Sequence, residues 1–92
     1  MNKLEEARIK IDEIDSKIIE LYERRMNMVK DVIEYKIQNS IPILDSSREE
    51  AMLEKNLKKI NQEQFKKYYK AVLEGFFKAS KDMQKDILDN EK

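Results

Sequence analysis

Arg25 and Lys36 stand where an apolar residue is expected. Apolar residues recur at steps of three and four through Leu4, Ala7, Ile11, Ile14, Ile18 and Leu21, then Met28, Val32 and Tyr35. Arg25 occupies the one vacant beat of that seam, and Lys36 follows one residue past its last beat on the same face. At about 100° per residue the two cations project within roughly 20° of each other, about 16 Å apart along the helix axis. Val29 and Val32 lie between them. Long cations at both ends of a small-residue floor describe a pocket sized for a small anion. Farther along, Ser80 falls on a second apolar stripe, with Gln84 four residues on beside Met83.

Each of these residues has a plainer reading. On pattern alone Arg25 is equally a snorkelling side chain or half of a buried ion pair in a dimer seam. Lys36 can be the frayed end of the stripe. Arg8 sits at the edge of the apolar stripe, and periodicity alone makes it a solvated surface charge. Ser80 and Gln84 read as polar residues making local hydrogen bonds on a partly wet face. Asp45 and Glu49 are accounted for by helix capping, because Ser46 followed three residues later by Glu49 matches a capping box and either Asp45 or Ser46 can be the N-cap. Arg48, in the first turn of that helix, opposes the helix dipole.

The elements that carry these residues are few and long. With one Gly and one Pro in 92 residues, the chain has few turn punctuators. Helix 1 is expected from about Leu4 to Gln38, with Glu5 and Glu6 suiting the dipole in its first turn. Pro42 ends the break that begins at Asn39, since it cannot continue a helix and pushes Ile41 to an extended conformation. Helix 2 follows to about Lys59 on the apolar run Met52, Leu53, Leu57 and Ile60. After a second break at Asn61-Gln62, helix 3 runs from about Gln64 to Asp89 on Phe65, Tyr69, Val72, Leu73, Phe76, Met83 and Ile87. The fold class is therefore all-α, three helices forming a single domain over residues 1–92. Helix 1, at roughly 52 Å, overhangs anything the remaining residues can wrap around it. A second copy of the chain is the simplest cover, so an intertwined homodimeric bundle is expected.

Composition closes off several classes of function. Nineteen basic and nineteen acidic residues balance, which gives no electrostatic case for nucleic acid or an anionic membrane. The absence of Cys rules out disulfides and thiolate zinc sites, and the absence of His removes the commonest general base and metal ligand. No stretch approaches the roughly 20 apolar residues of a membrane span, and no signal-peptide pattern opens the sequence, so a cytoplasmic location is expected.

Taken in order, these positions resemble a known family. Leu4, Arg8, Ile11 and Ile14-Asp15 are followed by Leu21 and Arg25, then Lys36. Next come Pro42-Ile43, Asp45 and Arg48-Glu49, then Ser80 and Gln84. The set is similar to that of the all-helical chorismate mutases of the AroQ class, over about Leu4 to Gln84. The resemblance implies an intertwined dimer of three-helix protomers with two active sites that convert chorismate to prephenate in phenylalanine and tyrosine biosynthesis. It implies no cofactor and no metal. It also implies that Arg8 of one chain and Arg25 of the other clamp the two substrate carboxylates. Lys36 would bind a carboxylate and the ether oxygen, and Gln84 would donate to that oxygen from the opposite side. Asp45, largely through its backbone, and Glu49 would hold the ring hydroxyl, while Arg48 and Ser80 complete the wall.

The implied chemistry suits a chain without His or Cys. The reaction is a unimolecular [3,3] rearrangement, and no proton moves in the bond-making step. Two rivals stand beside it. An isochorismate-pyruvate lyase shares the fold and a similar cationic pocket, but its known members lack the set that stands here as Asp45, Arg48 and Glu49. A non-catalytic helical dimerisation module is permitted by periodicity, but gives no account of Arg25, Lys36, Ser80 and Gln84 on apolar faces.

Overall fold

A computed structural model of the chain describes residues 1–42 and 46–90, apart from the Ser46 side chain. Helix α1 spans Lys3–Gln38, α2 spans Ser46–Leu57 and α3 spans Lys66–Asn90, the last preceded by a 3-10 turn at Glu63–Phe65. Among the described residues there is no strand. Among the described residues no helix is long and apolar enough to cross a membrane. The Asp45 side of the expected helix-2 cap, and the capping role of the Ser46 side chain, lie outside the described residues.

Helix α1 is built to stand largely without support from its own chain. Asn2 caps it, its side chain accepting from the Glu5 backbone N–H at 2.9 Å, and so offers one unpaired donor a partner. Glu6 and Lys10, Glu13 and Lys17, and Glu20 and Arg24 stand at the i,i+4 spacing and polarity that favour a helix. Every residue from Lys3 to Arg24 is exposed. Packing begins only in the last third, where Ile33 is 3% exposed against an α3 whose Leu73 is 2% exposed. Helix α2 is tied to α3 by Asn56, whose amide donates to the Tyr69 hydroxyl at 3.0 Å. The result is an elongated body of 55 × 26 × 15 Å.

The seam read from the sequence turns out to serve two directions. Measured round the helix from Arg25, the packed residues Met26, Ile33 and Ile37 lie at about 80° to 120°. Met28, Val32 and Tyr35, which continue the apolar repeat, lie at about −20° to −80° and are exposed. Arg25, Val29 and Lys36, all half-buried, occupy the border between about 0° and 40°. The two cations are thus not at the centre of a single core-facing stripe. They stand where the face packed within the chain meets an apolar face that the chain leaves open.

The helix ends differ from expectation by one or two residues, for local reasons. Helix α2 stops at Leu57 because the next backbone donors tighten into i→i+3 bonds, Lys59 N–H to Asn56 C=O at 3.0 Å and Ile60 N–H to Leu57 C=O at 3.2 Å. Helix α1 closes with Ile41 N–H donating to Lys36 C=O at 2.8 Å and Ser40 N–H to Ile37 C=O at 3.3 Å. This is a Schellman closure with Ser40, at φ 55°, in the left-handed position that glycine normally fills. A Cβ there costs about 1 kcal/mol. Ser40→Gly is therefore expected to raise the melting temperature by about 3–6 °C in a thermal scan. An unchanged or lower value would mean that the serine contributes more than its backbone strain removes.

Candidate active site

Three helices converge on one groove of about 350 Å³, at the small end of the roughly 300–1,000 Å³ usual for small-molecule sites. Helix α1 supplies Arg25, Val29, Val32 and Lys36, which its 4-3-4 spacing places on one side. Helix α2 contributes Arg48, Glu49 and Met52 from its first two turns. Helix α3 contributes Phe77, Ser80, Lys81 and Gln84. Met28 forms part of the outer lip of the groove and is itself exposed.

Arg25 is held from two sides by α3. Its guanidinium carbon lies 5.0 Å from the centroid of the Phe76 ring, within range of a cation–π attraction. One of its terminal nitrogens donates to Ser80 Oγ at 3.3 Å. The Ser80 hydroxyl in turn donates to the Phe76 carbonyl, one turn back, at 2.9 Å. That bond commits the hydroxyl proton to the helix and leaves the oxygen lone pairs toward Arg25. Both contacts come from residues four apart on α3, so the register of one helix sets the platform and the hydrogen bond together. Neither contact neutralises the guanidinium, and no carboxylate among the described residues pairs with Arg25. Its remaining donors are available to an anion.

Among the described residues the lining is asymmetric in charge: Arg25, Lys36, Arg48 and Lys81 stand with one carboxylate, Glu49, in a chain whose formal net charge is zero. The apolar walls at Val29, Val32, Ile33, Met52 and Phe77 keep the field of those cations concentrated in the groove. The arrangement fits a small molecule carrying two negative charges and a polar group that can meet Glu49.

Six of the eight residues singled out in the sequence line this groove: Arg25, Lys36, Arg48, Glu49, Ser80 and Gln84. Asp45 lies outside the described residues. Arg8 does not reach the groove of its own chain, being exposed and 17 residues, about 25 Å, along the helix from Arg25. The sequence reading missed Lys81, Phe76 and Phe77 at the site. Phe76 stands four residues before Ser80, a spacing that could have marked it as the floor beneath Arg25.

This all-helical chain matches the chorismate mutase type II family over residues 7–85, and it belongs to that family. The chorismate mutase of Methanocaldococcus jannaschii is 53% identical over 49 residues, covering 53% of this chain and 50% of that protein. The match thus spans about half the length of that curated relative. No solved structure matches the chain.

The Ser80 contact makes a specific prediction. Ser80→Ala removes the acceptor beside Arg25 and leaves the helix backbone intact, so far-UV circular dichroism should be unchanged. Affinity for a rigid oxabicyclic dicarboxylate, measured by calorimetry, should fall about ten- to a hundredfold, the worth of one hydrogen bond to a charged group. Unaltered affinity would show that Phe76 alone fixes the guanidinium.

Proposed function

We propose that the chain is a chorismate mutase, converting chorismate to prephenate by a [3,3] rearrangement, and that it works as a homodimer. The observation that supports this most directly is the convergence of Arg25, Lys36, Glu49, Ser80 and Gln84 on one groove from three helices. The substrate is a dianion whose side chain must fold over its ring before the new bond can form. Arg25 binds one carboxylate through parallel hydrogen bonds, and Lys36, at the other end of the floor, also binds a carboxylate, so the folded conformer is selected from many. As the C–O bond breaks, negative charge grows on the ether oxygen. Lys36 and Gln84 aim donors at that oxygen and so bind the transition state more tightly than the ground state. Glu49 accepts from the ring hydroxyl, a role the family resemblance also gives to Asp45, and Arg48 closes the wall. The bond changes need no general base, nucleophile or cofactor.

The second carboxylate is assigned to Arg8 of a second copy. Three observations support that partner. The exposed residues Leu4, Ala7, Ile11, Ile14, Ile18 and Leu21 keep a strict seven-residue repeat that continues through Arg25, Met28, Val32 and Tyr35, the pattern of a helix seated against another helix. The radius of gyration is 16.8 Å, where about 12 Å is usual for a compact chain of this length. The accessible surface is 7948 Å², about 2,300 Å² more than a compact monomer of this mass presents. An excess of that size on each chain is in the range that obligate homodimers bury.

The reading is tested by following the loss of chorismate absorbance with product identification. Prephenate is the expected product, and salicylate with pyruvate would assign the lyase reaction of the same fold instead. Lys36→Ala should lower kcat by about a hundredfold to a thousandfold, the cost of one donor to a developing oxyanion, while the chain stays helical. Retained turnover would remove Lys36 from the reaction.

The shared site is tested separately. Arg8→Ala and Lys36→Ala chains, each inactive alone, should recover part of the activity when subunits exchange, because some heterodimer sites carry neither substitution. No recovery after exchange confirmed by mass spectrometry would place Arg8 in the site of its own chain or outside the site altogether.

A further inference from the structure

Lys81 has no part in the mechanism above, yet it lines the groove on α3 beside Ser80 and three residues before Gln84. Its Nζ lies 2.9 Å from Glu49 Oε1 on α2. The pairs Lys66–Glu63, Lys70–Glu74 and Lys78–Asp82 join residues three or four apart in sequence, whereas Lys81 and Glu49 meet across two helices at the wall of the groove. Their side chains are 49% and 32% exposed, so solvent screens the pair and it adds little to stability. Its consequence lies in what Glu49 can receive. A carboxylate alone in the groove attracts any donor, and a cationic donor most strongly. With an ammonium already at one oxygen, the pair is neutral as a unit. Glu49 then has acceptor capacity left for an uncharged hydroxyl. A second ammonium at the same place would face Lys81 at close range, and like charges so placed repel.

We propose that Lys81 is a specificity-determining positioning residue, holding Glu49 so that the groove selects a neutral hydroxyl over a charged amine at the ring position that Glu49 meets. The proposal rests on the chorismate reading, which supplies that ring hydroxyl.

The full chain and its Lys81→Gln and Lys81→Arg variants are compared on chorismate and on the analogue with an amino group in place of the ring hydroxyl. Turnover and titration calorimetry are both read at pH 7, where the amine is protonated. The unsubstituted chain is expected to favour the hydroxyl by at least about tenfold in kcat/KM, and Lys81→Gln to shrink that preference about tenfold. The change should appear in KM, upward for chorismate and downward for the amine, with kcat moving less. Lys81→Arg should keep the preference because it keeps the charge. In the unsubstituted chain the preference should fade as rising pH deprotonates the amine. An unchanged preference in Lys81→Gln, or an equal loss in Lys81→Arg, overturns the role of Lys81. Failure of the unsubstituted chain to turn over either compound overturns the reaction instead. The ratio of dissociation constants then still decides what Lys81 does.

Discussion

A 36-residue helix that its own chain packs only over the last third is the constraint from which the other features follow. A helix of that length presents far more apolar seam than two shorter helices can cover. What they do cover is the end that carries Arg25, Val29, Ile33 and Lys36. The groove forms there, because α3 packs on α1 only at that end and holds α2 against its own side. The rest of the seam remains apolar and open, a state that isolated soluble chains rarely sustain. The proposed second copy would cover it, and the same association would bring Arg8 from the far end of one α1 toward the groove of the other.

The groove shows how charge is kept in an apolar setting without being cancelled. A guanidinium removed from water needs compensation. Arg25 receives it from the face of an aromatic ring and from a hydroxyl oxygen, both of which stabilise the cation and leave its charge intact. A carboxylate partner would have stabilised it more, and would also have competed with the ligand. Among the described residues the carboxylate that lines the groove, Glu49, is paired with Lys81; the proposed function gives that acid a neutral donor and gives the cations anions. Separation of those two jobs within a groove of about 350 Å³ requires three helices, since residues on one helix cannot face one another.

The local features were the most legible from sequence. The run of α1, the break at Pro42 and the places of Arg25, Lys36, Ser80 and Gln84 on apolar faces all follow from periodicity, which depends on neighbours within two turns. Ser40 was not legible as a left-handed residue, because the sequence there offers no glycine and the closure depends on bonds back to Lys36 and Ile37. Lys81 was hidden for a different reason. A lysine beside a serine on a highly charged helix reads as a solvated charge, and only the approach of α2 gives it a carboxylate. Phe76 looked like a core residue and proved to be the surface on which Arg25 rests.

The amino-acid sequence determined the helices, their order and which residues break the apolar pattern, because those properties are set by short-range geometry and composition. The tertiary structure decided that Arg25 and Lys36 stand on a border between two faces. It decided as well that Glu49 meets Lys81, and that Arg8 lies away from the groove of its own chain. Those outcomes depend on the angle at which α3 crosses α1 and on the seating of α2 against α3, and packing between distant segments sets such geometry where no repeat along the chain records it.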